Sequence, residues 1–154
     1  MAKSPLAPAQ FPTLPNVAGV RFGTLAAGIK YQNRSDVMLA ELAPGTSIAG
    51  VFTQSATRSA AVLDCLKKLG LPAAEGAAIL VNSGNANAFT GHRGMASVAA
   101  LSNDLAAQLE LSDSRVFTPS TGVIGEPLPH EKIFTLMPEL NSEFDADGLG
   151  MAAP

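Results

Sequence analysis

The 154-residue chain contains no tryptophan, one tyrosine and one cysteine, and only 15% of its residues are charged. Each scarcity excludes something. A lone thiol, Cys65, cannot form an internal disulfide, so a disulfide framework is ruled out and a reducing compartment, the cytoplasm, is expected. Basic residues form no run and the formal charge is −3, so the electrostatic footprint of a nucleic-acid binder is missing. No apolar stretch reaches the roughly 18 to 20 residues that span a bilayer, and Met1-Ala2-Lys3-Ser4-Pro5 leads into no apolar core segment of a secretory signal. The two histidines, His92 and His130, have no Cys or His at metal-ligand spacing and read as surface residues; no metal is expected. No Gly-Lys-Ser/Thr phosphate loop is present. Acidic residues are scattered, apart from Glu143, Asp145 and Asp147 in a polar tail, so no carboxylate dyad stands out.

What is abundant is small and apolar. The hydrophobic share is 47%, enough for a buried core, and 14 glycines allow close backbone approach. Pro5, Pro8, Pro12 and Pro15 make residues 1–16 an extended arm. Residues 17–140 read as one domain and residues 141–154 as a loose tail. Within the domain, strands are expected over 29–32, 37–42 and 48–53, with turns at 33–36 and 44–45. A helix is expected over 59–69 with Val62, Leu66 and Leu69 as its inner face and Gly70 as its stop. The run 77–81 reads as a buried strand. Residues 92–110 read as the clearest helix, through Met95, Val98, Ser102, Leu105 and Leu109. A strand at 116–118 and a helix opened by Pro129, with Ile133, Leu136 and Met137 inward, complete the series. Cys65 falls inside a helical pattern with no adjacent base and reads as a structural thiol. The mixture is α/β or α+β, and periodicity does not choose between them.

Two loops stand out, each after an apolar strand and before a helix. Asn82 to Asn87 holds three asparagines, which either bond to their own turn or, through Asn85 and Asn87, hold an amide or carboxylate of a substrate. Ser120-Thr121-Gly122, with Gly125 behind it, combines a hydroxyl with an unobstructed main-chain N–H. Such a pair makes an oxyanion hole for a tetrahedral intermediate, a backbone nest for phosphate, or an ordinary polar turn. Neither loop brings a convincing nucleophile or base.

The order of four segments resembles the ornithine acetyltransferases, the bifunctional glutamate N-acetyltransferases of arginine biosynthesis. Gly28-Ile29-Lys30-Tyr31 and Asp36 to Leu42 resemble that family's opening strands. Gly50 to Val62 is similar to its next strand and helix entry, Val81 to Asn87 to its Asn-rich loop, and Pro119 to Gly125 with Pro127-Leu128-Pro129 to its oxyanion loop. Together they cover roughly residues 17–137. The resemblance implies a layered α/β sandwich shared between two chains cut from one precursor at an Ala-Thr junction. It further implies a hetero-tetramer of two chains of each kind. In the implied mechanism the new N-terminal Thr takes an acetyl group from N2-acetylornithine and passes it to glutamate in a ping-pong sequence, with no cofactor and with acetyl-coenzyme A as an alternative donor. Thr121 and Gly122 match the oxyanion hole. The family's Thr-Thr-Asp and Lys-Gly segments and its cut site are not among these 154 residues, so the nucleophile is expected beyond Pro154, and residues 1–154 alone are expected to be inactive. Two other readings remain: a non-catalytic module binding a small anion, and a chain of a related self-cleaving aminopeptidase.

Overall fold

A computed structural model describes residues 5–6, 14–71 and 74–142, the last three by main chain only. Most of the 1–16 arm and residues 143–154 of the expected tail therefore lie outside the described residues. One four-stranded sheet organises the chain, in the order β1 (Val20–Leu25), β2 (Val37–Leu42), β3 (Ala77–Asn82), β4 (Val116–Phe117). The first three strands are antiparallel neighbours and β4 runs parallel to β3. The helices are α1 (Ala60–Lys68), α2 (Gly91–Gln108) and α3 (His130–Ser142), and a single 3-10 turn (Asp113–Arg115) leads into β4.

Alternation along the strands sets the layers. Val37 and Leu39 of β2, Ala78 and Leu80 of β3 and Val116 of β4 meet Leu101 and Leu105 of α2 and Ile133 and Met137 of α3 in one core. Each large aliphatic side chain in it contributes about 1.5–3 kcal/mol by leaving water. Met38, Ile79 and Val81 alternate with them and are half-buried. The mixed sheet and its helices agree with the expected α/β class.

Three expectations are corrected. Residues 29–32 are not a strand: the Asp36 carboxylate accepts the N–H groups of Ala27 and Ile29, both at 2.6 Å, and folds the stretch into bends. The first strand is instead Val20–Leu25, where pairing with β2 carries Gly23 in mid-strand opposite Leu39. Residues 48–53 are not a strand either. Among the described residues no neighbouring strand takes up their main chain, and Val51 is 97% exposed. Helix α1 forms as expected, with Ser59 Oγ accepting the Val62 N–H, but its inner face is different. Ala60, Ala61, Cys65 and Lys68 are buried, while Leu66 is exposed.

The misplaced face has a charged cause. The Lys68 ammonium is buried and donates to Ser102 Oγ (2.9 Å), the Val116 carbonyl (3.1 Å) and Asp113 Oδ1 (3.2 Å). It also lies 2.8 Å from Asp64 Oδ2, one helical turn back, in a contact that satisfies ion-pair distance but not hydrogen-bond direction. Helix α1 is thus bolted to α2, to the 3-10 turn and to β4 through one cation.

Candidate functional site

Strands β3 and β4 are parallel neighbours, so the loops leaving their carboxyl ends start side by side. That end of a parallel pair is the usual place for a site, because neighbouring chains diverge there and leave main-chain groups free. Here the divergence is delayed. Pairing continues past the strands: the Asn82 N–H donates to the Pro119 carbonyl (3.2 Å) and the Thr121 N–H to the Asn82 carbonyl (3.1 Å). The Val123 N–H then donates to the Gly84 carbonyl (3.2 Å), the Ala86 N–H to the Val123 carbonyl (2.9 Å) and the Gly125 N–H to the Ala88 carbonyl (2.8 Å). The two loops singled out in the sequence are therefore one object, zipped by five main-chain bonds.

The zipper turns the asparagines inward. Asn82 Nδ2 donates to the Asn85 carbonyl, and Asn85 Nδ2 reaches the carbonyls of Glu126 and Pro127 at 3.1 and 3.2 Å. Asn85 Oδ1 accepts the Asn87 N–H at 2.7 Å. Asn87, 0% exposed, donates to the Gly94 carbonyl and accepts from the Thr90 hydroxyl. The side chains of Asn85 and Asn87, the substrate-binding candidates, are thus spent on holding the loops to each other and to the start of α2.

Thr121 and Gly122 behave in the opposite way. Both are exposed. The amides on either side of Gly122, those of Thr121 and Val123, are taken by the facing loop, whereas the Gly122 N–H and the Thr121 hydroxyl have no partner among the described residues. Gly122 has φ +131°, a conformation that glycine adopts without strain. A Cβ there would lie 2.3 Å from the Gly84 carbonyl carbon and 2.5 Å from the Asn85 nitrogen. Glycine is thus required by the facing backbone as well as by its own φ. The result is a hydroxyl and an N–H, adjacent in sequence, offered from a rigid base.

Neither loop carries a titratable side chain between Asn82 and Gly91 or between Pro119 and Gly125. The arrangement can therefore bind or stabilise negative charge but supplies no proton acceptor of its own. His92 is exposed, and His130 Nδ1 is held near the Leu128 carbonyl and Glu131. Among the described residues, no three His, Cys, Asp or Glu side chains converge. The Phe89–His92 stretch also lines a cavity of about 370 Å³ with Arg58, Leu63 and Met95.

Cys65 is buried, as its helical position implied, and burial pushes its thiol above the ordinary value, against a smaller opposing effect of the Thr118 backbone. A raised folded pKa means that this contribution to stability is complete below the unfolded thiol's pKa and is lost as pH rises through the folded one. We expect iodoacetamide at mildly alkaline pH to alkylate Cys65 at least about tenfold more slowly in the native protein than in denaturant, by mass spectrometry. Equal rates would show the thiol to be accessible and ionised. The charged groups that sequence reasoning passed over are Asp36, Lys68 and Arg115, all buried. Each has a polar or charged neighbour in sequence, Ser35, Lys67 and Ser114, so local pattern does not mark it as buried.

The fold and the loops define a mixed α/β protein that presents hydrogen-bond donors, unpaired among the described residues, from zipped loops at strand ends. The chain belongs to the ArgJ family, which it matches over residues 21–153. It is 59% identical over 150 residues to the arginine biosynthesis bifunctional protein ArgJ of Ruegeria pomeroyi, covering 97% of this chain and 37% of that protein. It is 47% identical to the protein of that name from Agrobacterium fabrum, covering 96% and 35%. The chain thus spans about a third of the length of these curated relatives. Among solved structures it resembles ornithine acetyltransferase complexed with ornithine from Mycobacterium tuberculosis, with a TM-score of 0.77 at 34% identity, over 84% of this chain and 69% of that one. The arginine biosynthesis bifunctional protein ArgJ of Bacillus halodurans follows with a TM-score of 0.74 at 28% identity, over 84% and 65%. Among the described residues no helix is long and apolar enough to cross a membrane.

Proposed function

We propose that this chain is the oxyanion-stabilising part of a glutamate N-acetyltransferase of arginine biosynthesis. The observation that carries the reading is a pair of donors without a partner among the described residues, the Thr121 hydroxyl and the Gly122 N–H, on a loop whose flanking amides are already bonded. Membership of the ArgJ family and the likeness to an ornithine acetyltransferase support the substrate assignment.

In the proposed reaction a Thr hydroxyl from the companion chain attacks the acetyl carbonyl of N2-acetylornithine. The carbonyl oxygen becomes an oxyanion and accepts hydrogen bonds from Thr121 and Gly122. The intermediate collapses, the ornithine amine leaves with a proton, and the acetyl group stays as an ester on the Thr. The amine of glutamate then attacks that ester through a second oxyanion in the same position. Its collapse breaks the ester bond, releasing N-acetylglutamate, and the amine's proton returns to the Thr oxygen. The nucleophile's own N-terminal amine is the base. Donors that are fixed before the charge develops act without reorganisation, which is why one of them is worth about 2.7–4 kcal/mol. No cofactor is needed, and acetyl-coenzyme A would enter as an alternative acetyl donor to the same Thr. The assembly proposed is two chains of each kind, in the cytoplasm.

Replacing Thr121 by Val in the full-length protein should lower kcat by about 100-fold, the loss of one donor, with KM and Tm nearly unchanged. The fold should survive because the Thr121 N–H, which bonds to Asn82, is retained. Thr121→Ser should recover most of the activity. An active Thr121→Val enzyme would remove the hydroxyl from the mechanism.

A further inference from the structure

A second, smaller cavity lies at the other end of β4, at its start rather than beside the loops that follow it. It holds about 200 Å³ and is lined by Thr46, Ser47, Gly70, Phe117 and two cations, Lys68 and Arg115, with no carboxylate in its lining. The two cations differ in how they are balanced. Lys68 has Asp64 and Asp113 beside it. Arg115 is 6% exposed and makes no ion pair among the described residues. Its Nε donates to the Gly76 carbonyl at 3.0 Å and its Nη2 to the Thr46 carbonyl at 2.9 Å.

A guanidinium carries five N–H donors, so three remain after these two bonds. Carbonyls supply partial charge only. A guanidinium kept out of water without a counter-ion is costly, and the cost falls when an anion takes the remaining donors. The two carbonyl bonds also fix the plane of the guanidinium, so its free edge is preorganised. We propose that this cavity binds a compact oxyanion, a phosphate or carboxylate group, on the free edge of Arg115, with the Thr46 and Ser47 side chains at the rim. The site is separate from the acyl-transfer reading and stands or falls without it.

The test is thermal unfolding of the full-length protein in inorganic phosphate, with chloride keeping ionic strength constant. Phosphate also stabilises proteins by exclusion from their surface, which grows in proportion to concentration. Binding to a site instead adds a logarithmic component, steep at low phosphate and ever flatter above Kd, and that component is what is read. A site filled in the folded state alone should give a logarithmic rise in Tm, roughly 2–4 °C once phosphate exceeds Kd about tenfold. Arg115→Met should abolish it, but this variant also cuts the bonds to Gly76 and Thr46 and can unfold the protein. Ser47→Asp avoids that. It places a carboxylate on an exposed residue of the same cavity, and should remove the logarithmic rise while leaving the circular dichroism spectrum unchanged. A parallel titration with acetate separates the two sources: a rise with phosphate alone assigns a tetrahedral oxyanion, and equal rises assign a carboxylate. No logarithmic rise with either anion, or one that survives Ser47→Asp, would overturn the proposal.

Discussion

With the proposed acetyl transfer, Gly122→Val is expected to lower the kcat of the full-length protein by more than about 100-fold and to lower its stability as well. The cause is the facing backbone. The new Cβ would sit 2.3 Å and 2.5 Å from main-chain atoms of Gly84 and Asn85, which cannot swing aside as a side chain would. The β-branched residue would also be held at φ +131°. Strain of this kind costs about 1–3 kcal/mol, and forced separation of well-fitted groups about as much again. The loops relieve it by parting, which breaks the bonds from Thr121 to Asn82 and from Val123 to Gly84. The two donors then lose the base that aims them. Gly125→Ala is the control. Gly125 also has a positive φ, +86°, but a methyl group there would meet nothing within 4 Å, so only the backbone strain remains. Its kcat should stay within about tenfold of wild type and its Tm should fall less. Steady-state kinetics and thermal unfolding on both variants check this. Equal losses in the two would mean that loop contact is unimportant.

The largest effect on stability is expected from Lys68→Met. Methionine fills a similar volume, so the change isolates the charge. Removing one partner of a buried ionic cluster costs about 3–5 kcal/mol, because the others stay desolvated. The lower end applies here. Asp113 is half exposed and returns to water, whereas Asp64, the Ser102 hydroxyl and the Val116 carbonyl do not. Urea unfolding should show the loss as a lower midpoint at constant m-value. A change under about 1 kcal/mol would mean that the ion cluster is replaceable by apolar contact at this position.

The legible parts of the molecule are those written in periodicity. Helix α2, expected over 92–110, spans Gly91–Gln108, because Val98, Leu105 and their neighbours make one apolar stripe. Strands β2 and β3 follow from short apolar runs. What stays hidden depends on partners distant in sequence. The apolar Ile48-to-Phe52 stretch has strand composition but, among the described residues, no strand to pair with. Val20–Leu25 contains a glycine and still pairs, because β2 supplies its ladder. Periodicity misplaces the inner face of α1 because a lysine, against its usual habit, points inward to anions and dipoles on neighbouring elements. At the site, local composition marks both loops but only as separate turns. Their contact is set by the parallel pairing of β3 and β4, which no local pattern reveals. The same contact turns Asn85 and Asn87 into scaffold and leaves Thr121 and Gly122 outward.

The most direct measurement replaces one atom. Substituting the backbone N–H of residue 122 by an ester oxygen, in otherwise native full-length protein, removes that donor and keeps the glycine, its φ and the facing loop intact. With donation to the acyl oxygen as its role, acetyl transfer from N2-acetylornithine should slow by about 100-fold or more at unchanged Tm. Acetyl transfer at the wild-type rate would contradict the assignment of this loop to the oxyanion.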